Sequence, residues 1–176
     1  MKKTAIVTGA STGIGKAIAL ELAEQYERIA ITSYKHPEEL MHTKSLLLQQ
    51  GVECIACSGD SGSYTFVQEF VQTVLSSWGQ IDTLINNAGI SSVCLLTELS
   101  IQEWETLLST NLSSVFYYCH EVIPFMITFA LPMKPCMGSL GEGGVNIFVS
   151  IIFRAKGVEE YVGGRCLFLI ILLKFI

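Results

Sequence analysis

The chain has 176 residues, half of them hydrophobic and 15% charged, with a formal net charge of -5. That is enough for one domain with a real core and too little for two of ordinary size. The acidic balance and the lack of any Lys/Arg cluster exclude a nucleic-acid surface driven by phosphate neutralisation. The N-terminus enters an apolar strand at once, without a leader pattern, so a cytoplasmic location is the default expectation.

Thr4 to Val7 is a short apolar run of the kind that forms buried parallel strands. Thr8-Gly9-Ala10-Ser11-Thr12-Gly13-Ile14-Gly15 follows it, and Ile14, Ala17, Ile18 and Leu22 then fall at helical spacing. A strand passing through a glycine turn into a helix is a phosphate-binding arrangement. Gly9 permits the tight turn, Gly13 lets backbone approach a pyrophosphate, and Gly15 lets helix and strand pack closely. The first free N–H groups of the helix then face the anion.

Arg28 to Ser33 reads as a second strand, and Pro37-Glu38-Glu39 opens a second helix that runs to about Gln50 and stops at Gly51. Val52 to Cys57 is a third strand, followed by the turn Ser58-Gly59-Asp60-Ser61-Gly62. A third helix carries Phe66, Val67, Phe70, Val71, Val74, Leu75 and Trp78 as an apolar stripe and closes at Gly79. Ile81 to Ile85 is a fourth strand leading into Asn86-Asn87-Ala88-Gly89. Alternating strands and helices on short connections predict an α/β fold, a doubly wound parallel sheet with helices on both faces. Ligands of such sheets lie beyond the carboxyl ends of the strands, so Gly9, Tyr34, Asp60 and Asn87 are expected along one edge.

The six cysteines supply no metal or disulfide pattern. Cys54 and Cys57 are the one close pair, and residues three apart in a strand point to opposite faces. His36, His42 and His120 are isolated and read as surface or interface residues.

Thr8-Gly9-x-x-x-Gly13-Ile14-Gly15 at the N-terminus and Asn86-Asn87-Ala88-Gly89 after the fourth strand together resemble the short-chain dehydrogenase/reductase family, and among its members the 3-oxoacyl-ACP reductases. The resemblance implies a Rossmann-like fold that binds a nicotinamide dinucleotide through Gly9, Ser11, Thr12, Gly13, Ile14, Gly15, Tyr34, Lys35, Asp60, Asn87, Ala88 and Gly89. It also implies a small carbonyl or alcohol substrate. No acidic residue ends the second strand, where one would accept a ribose hydroxyl; the segment reads Ser33-Tyr34-Lys35-His36, and Lys35 can pair with a 2′-phosphate. NADP is therefore expected, with NAD as the alternative. Asp60 matches a family position that contacts the adenine, beside its plain reading as a turn-forming Asp.

Ser100-x-x-Glu103 forms a capping box for a helix through Leu108. From Thr110, the residues Leu112, Val115, Phe116, Cys119, Val122, Ile123 and Met126 repeat at three and four, predicting a long amphipathic helix. Asn111 aligns with the family's catalytic asparagine, beside its plain reading as a side chain serving a helix end. In the family this helix commonly joins a subunit interface, which implies a homo-oligomer through residues 111–126.

Beyond Met126 the periodicity is lost among Pro132, Pro135, Gly138, Gly141, Gly143 and Gly144. The segment from Gly143 to Ser150 resembles the family's fifth strand, whose terminal serine orients the substrate carbonyl, although Ile151 stands where a small polar residue is usual. The family's Tyr-x-x-x-Lys pair is absent. Tyr161-Val162-Gly163-Gly164-Arg165 is the nearest candidate, and an arginine does not replace a compact ammonium beside a phenol. Leu167 to Ile176 is too short to span a bilayer as a helix and reads as a buried strand. The expected organisation is thus a dinucleotide-binding region over 1–126 and a divergent, truncated or frame-shifted segment of the same domain over 127–176. Two functions follow: a short-chain oxidoreductase with Asn111, Ser150 and Tyr161 as water-positioning residue, carbonyl orienter and acid/base, or a nucleotide-binding protein without catalysis.

Overall fold

A computed structural model describes residues 2–130, 148–151 and 168–171. Its elements are β1 (Thr4–Val7), α1 (Gly13–Leu22), β2 (Arg28–Ser33), α2 (Pro37–Gln49), β3 (Glu53–Ser58), α3 (Tyr64–Trp78), β4 (Thr83–Asn86), α4 (Ile101–Leu108), a π-helical turn (Ser109–Ser113), α5 (Ser114–Ala130), β5 (Phe148–Ile151) and β6 (Phe168–Ile171). The six strands form one sheet in the order β3-β2-β1-β4-β6-β5, and every neighbouring pair is parallel. This is the doubly wound α/β sheet that the alternating pattern predicts.

Helix ends follow local chemistry. Pro37 begins α2, Glu38 and Glu39 lie in its first turn, and Gly51 just past its end has φ +83°. Gly79 caps α3 in the left-handed conformation, donating its N–H to the Leu75 carbonyl. Ser100 and Glu103 exchange both bonds of the capping box at α4.

Alternation along the strands divides the core into two layers. Ile6, Ala30 and Leu84 face α3 and α5, where they meet Val67, Phe70, Val71, Val74, Tyr118, Val122 and Met126. Val7, Ile29, Ile31 and Ile85 face the other way, onto Ala19 of α1 and Leu40 and Leu47 of α2. Several boundaries and faces differ from the sequence pattern. Ile81 is buried but precedes β4, because the chain enters the ladder through Asp82, whose N–H donates to the Thr4 carbonyl and whose carboxylate accepts from the Thr4 N–H. In α1 the buried residues are Gly15 and Ala19, and Ile14 is exposed: the small side chains let the helix lie close to the sheet. In α5 the deep positions are Tyr118, Val122 and Met126, while Leu112 in the π-helical turn and Phe116 point outward.

The late strands are also arranged differently from the expectation that Gly143 to Ser150 supplies the next strand of the sheet. The apolar run at the C-terminus, as β6, pairs directly with β4 (Leu84 with Leu169, Ile85 with Ile170), and β5 lies beyond it with Ser150 opposite Ile170.

Candidate functional site

The sheet order reverses between β1 and β4, and the loops leaving the carboxyl ends of β1, β2, β3 and β4 enclose a cavity of about 300 Å³ there. Gly9, Ser11 and Thr12 come from the first loop, Ser33, Tyr34, Lys35 and His36 from the second, Asp60 and Ser61 from the third, and Ala88, Gly89 and Ile90 from the fourth. Thr106 of α4 and Thr110 of the π-helical turn complete the wall.

The first and fourth loops are locked together by Thr8 and Asn87. The Thr8 hydroxyl accepts from the backbone N–H of Asn87 (3.0 Å) and of Ala88 (2.9 Å). The Asn87 side-chain amide donates back to the carbonyls of Thr8 (2.9 Å) and Gly9 (3.0 Å). This joins residues nearly eighty positions apart and leaves Asn87 Oδ1 buried without a hydrogen-bond partner among the described residues. Gly9 has φ +66°, and a Cβ there would stand 2.8 Å from Ala88 Cα. A Cβ on Gly15 would overlap the Asn87 amide nitrogen and the Gly9 carbonyl, so this close approach requires glycine.

A phosphate cradle needs backbone donors that nothing else occupies. Thr12 caps α1 without a side-chain hydrogen bond and the first turn carries no acidic residue, whereas Ser63 and Ser100 cap α3 and α4 with their hydroxyls. Gly13 has φ +58° and open space on its Cβ side. The first turn of α1 therefore presents N–H groups and the positive end of a helix dipole without a protein anion. These features fit a dinucleotide, whose pyrophosphate Thr12, Gly13 and Ile14 would hold and whose adenosine Tyr34, Lys35, Asp60 and Ser61 would hold.

Of the sequence candidates, Gly9, Ser11, Thr12, Tyr34, Lys35, Asp60, Ala88 and Gly89 line the cavity. Gly15 and Asn87 are buried beneath it, and Gly13 and Ile14 are exposed at the start of α1. Asp60 Oδ1 accepts from the Gly62 N–H at 2.8 Å, so its carboxylate also serves its own turn. Asn111 sits within the π-helical turn, a feature often found at functional positions. Its amide pairs with the Ile90 backbone in both directions: Ile90 N–H donates to Oδ1 and Nδ2 donates to the Ile90 carbonyl, each at 2.8 Å. Ser150 lies in β5 at the sheet edge, with β6 between it and β4. Tyr161 lies outside the described residues.

Sequence reading did not single out Thr8 as the hub of the two loops, nor Ser33, His36, Ser61, Ile90, Thr106 and Thr110 as cavity residues. It also overlooked Tyr118, whose spacing from Val115 and Val122 marks it as part of the buried face. Cys54, Cys57, Cys94 and Cys119 are free thiols. Burial pushes Cys54 up to about 12 and Cys119 up to about 11, so both stay protonated at neutral pH. No metal-binding cluster occurs among the described residues, and His36, His42 and His120 are exposed.

The short chain dehydrogenase family model matches residues 3–133. The chain belongs to the short chain dehydrogenase family. It is 33% identical over 154 residues to the 3-oxoacyl-(acyl-carrier-protein) reductase FabG of Staphylococcus epidermidis, an alignment covering 85% of this chain and 63% of that protein. Among solved structures, it resembles a metagenomic short-chain oxidoreductase in complex with NADP, with a TM-score of 0.69 and 30% identity over 73% of this chain and 58% of that one. A short chain dehydrogenase from Burkholderia cenocepacia in complex with NADP gives a TM-score of 0.68 and 32% identity over 70% of this chain and 51% of that one. The chain thus spans less than two thirds of the length of these short-chain relatives. Among the described residues, no helix is long and apolar enough to cross a membrane.

Proposed function

We propose that the chain binds NADP(H) and acts as a short-chain oxidoreductase that interconverts a ketone and a secondary alcohol. The observation that carries this reading is a cavity bounded at one side by the N-terminus of α1, which has no side-chain cap and no acidic residue in its first turn, and at the other by Lys35, with no acidic residue closing β2. A carboxylate at the end of β2 would repel a 2′-phosphate; a lysine attracts it. The two solved relatives that carry NADP support the same cofactor. When bound, the nicotinamide would give a hydride to a carbonyl carbon or take one from the carbinol carbon of an alcohol.

The protein's own part is orientation and the proton. Ser150 orients the carbonyl oxygen, and Tyr161 donates the proton that turns the reduced oxygen into a hydroxyl. A phenol of ordinary pKa near 10 exchanges protons poorly at neutral pH without a cation beside it, and Arg165 is the cation four residues further on. Asn111 has one amide hydrogen and one oxygen lone pair beyond its Ile90 pair, which suits it to hold a water. Leu112 and Phe116, 58% and 65% exposed on the same helical segment, form the interface of a homo-oligomer.

Fluorescence titration with NADPH and NADH tests the binding. NADPH binds more tightly, and Lys35→Glu reverses the preference; equal or tighter binding of NADH by the parent overturns the assignment. A second reading, nucleotide binding without catalysis, is favoured by the missing Tyr-x-x-x-Lys pair and by the edge position of β5. Oxidation of NADPH by a panel of ketones separates the two. Turnover lost in Tyr161→Phe supports the oxidoreductase, turnover that survives that change removes Tyr161 as the acid, and none in the parent supports binding alone.

A further inference from the structure

Tyr118 is the largest fully buried side chain described in the structure, yet it carries a hydroxyl. Its ring packs edge-on against Phe70 within the layer formed by α3, α5 and the sheet. A phenylalanine would fill that layer equally well, and burying a phenol oxygen without partners is costly. The oxygen has partners: it lies 3.5 Å from the Thr32 hydroxyl on β2 and 3.4 Å from the Ser61 hydroxyl in the turn after β3.

One partner lies at the adenosine end of the cavity, and the other, Thr32, is buried directly before the cavity residue Ser33. Ser61 lines that cavity directly. The Thr32 carbonyl accepts from the Ala10 N–H of the glycine turn at 2.9 Å, and its neighbour Ser33 accepts from the Gly59 N–H at 2.8 Å. The Tyr118 hydroxyl therefore sits beneath the point where the loops after β1, β2 and β3 meet, without reaching the cavity itself. Burial disfavours the phenolate and pushes its titration up, so the group stays a neutral donor and acceptor through the working pH range.

We propose that Tyr118 is a positioning residue for the adenosine end of the dinucleotide site, holding the Ser61 turn against the end of β2 through the two hydroxyls. This rests on the reading of the cavity as an NADP(H) site. It makes the grip on adenosine depend on a residue of α5, the helix that continues from the turn carrying Asn111.

The test is calorimetric titration of NADP+ and of adenosine 2′,5′-bisphosphate into the 176-residue chain, into Tyr118→Phe and Ser61→Ala, and into the double variant, with a thermal melt of each. Tyr118→Phe weakens adenosine bisphosphate about 3-fold, the low end of the net range for hydrogen bonds, because both contacts are long. Ser61→Ala has an effect of the same order, and the double variant is no weaker than the worse single one, because the two hydroxyls act in series. Two independent, multiplying effects overturn the relay. A Tyr118→Phe chain that melts lower but binds the bisphosphate within twofold of the parent makes the hydroxyl a matter of stability alone. Should Tyr118→Phe not fold, an unchanged affinity in Ser61→Ala overturns the relay by itself. Absence of binding of either ligand to the parent refutes the dinucleotide reading, and this proposal with it.

Discussion

Replacing Asn87 by Ala and by Asp gives an ordering that size alone would not suggest. The alanine variant loses two donated bonds, to the Thr8 and Gly9 carbonyls. At about 0.5–1.5 kcal/mol each they contribute roughly 1–3 kcal/mol. Alanine also removes the buried and unpartnered Oδ1, which offsets on the order of 1 kcal/mol of that loss. The expected net destabilisation is about 1 kcal/mol, or a fall of roughly 2–4 °C in Tm for a chain of this size. Aspartate keeps the shape but turns the donor into an oxygen facing two carbonyl oxygens, in a side chain only 4% exposed. An ionised carboxylate there costs more than the cavity left by alanine, about 3 kcal/mol or above. The site raises the pKa of the new Asp above its unfolded value. Its penalty is then full at neutral pH, begins to shrink as pH falls through the raised folded value, and is smallest below the ordinary Asp range near about 4. Urea unfolding at pH 7 and at pH 5 measures both points. An aspartate variant as stable as the alanine one at pH 7 would refute the account of Asn87 as a clamp that works by donating.

Gly9→Ala meets both a positive φ and the Ala88 backbone, so a loss of about 2 kcal/mol or more is expected in the same unfolding assay; a loss below about 0.5 kcal/mol would mean that the loops separate easily. Among Cys54, Cys57, Cys94 and Cys119, the exposed Cys94 is alkylated first by iodoacetamide at pH 7.5, and Cys54 and Cys119 last, because burial holds their thiols protonated. Peptide mapping by mass spectrometry reads the order. Leu112→Glu with Phe116→Glu lowers the mass of the chain in analytical ultracentrifugation to that of a monomer; a parent that is already monomeric, or a variant that stays assembled, removes that helical face as the interface.

Much of the candidate site was legible because its parts are local. A glycine turn between a strand and a helix, a Gly after a helix, a Ser three residues before a Glu and the absence of acid after β2 are all relations within a few positions. Gly79, Ser100 and Glu103 behave in the structure as their neighbours dictate. The same applies to the gathering of Gly9, Tyr34, Asp60 and Asn87 at one edge, Asn87 lying buried beneath the cavity that the others line, since parallel strands on short crossovers leave every βα loop at the same end.

Other features depended on partners distant in sequence. Which residues of α1 and α5 turn inward was not legible, and Ile14, Leu112 and Phe116 are exposed, because a periodic stripe does not say where the sheet lies or how close the helix comes. Thr8, Asn111 and Tyr118 acquire their roles from Asn87, Ile90 and Ser61, none of which is a sequence neighbour. The position of β6 between β4 and β5 is likewise a matter of long-range pairing.

The sequence by itself determined the alternation of elements, the glycine turn and the chemical character of the cofactor site, since propensity, capping and charge act over a few residues. Only the tertiary structure decided which loops are clamped, which hydroxyls support the cavity floor and which apolar residues stay outside the core, since those depend on contacts that form when distant segments share one sheet.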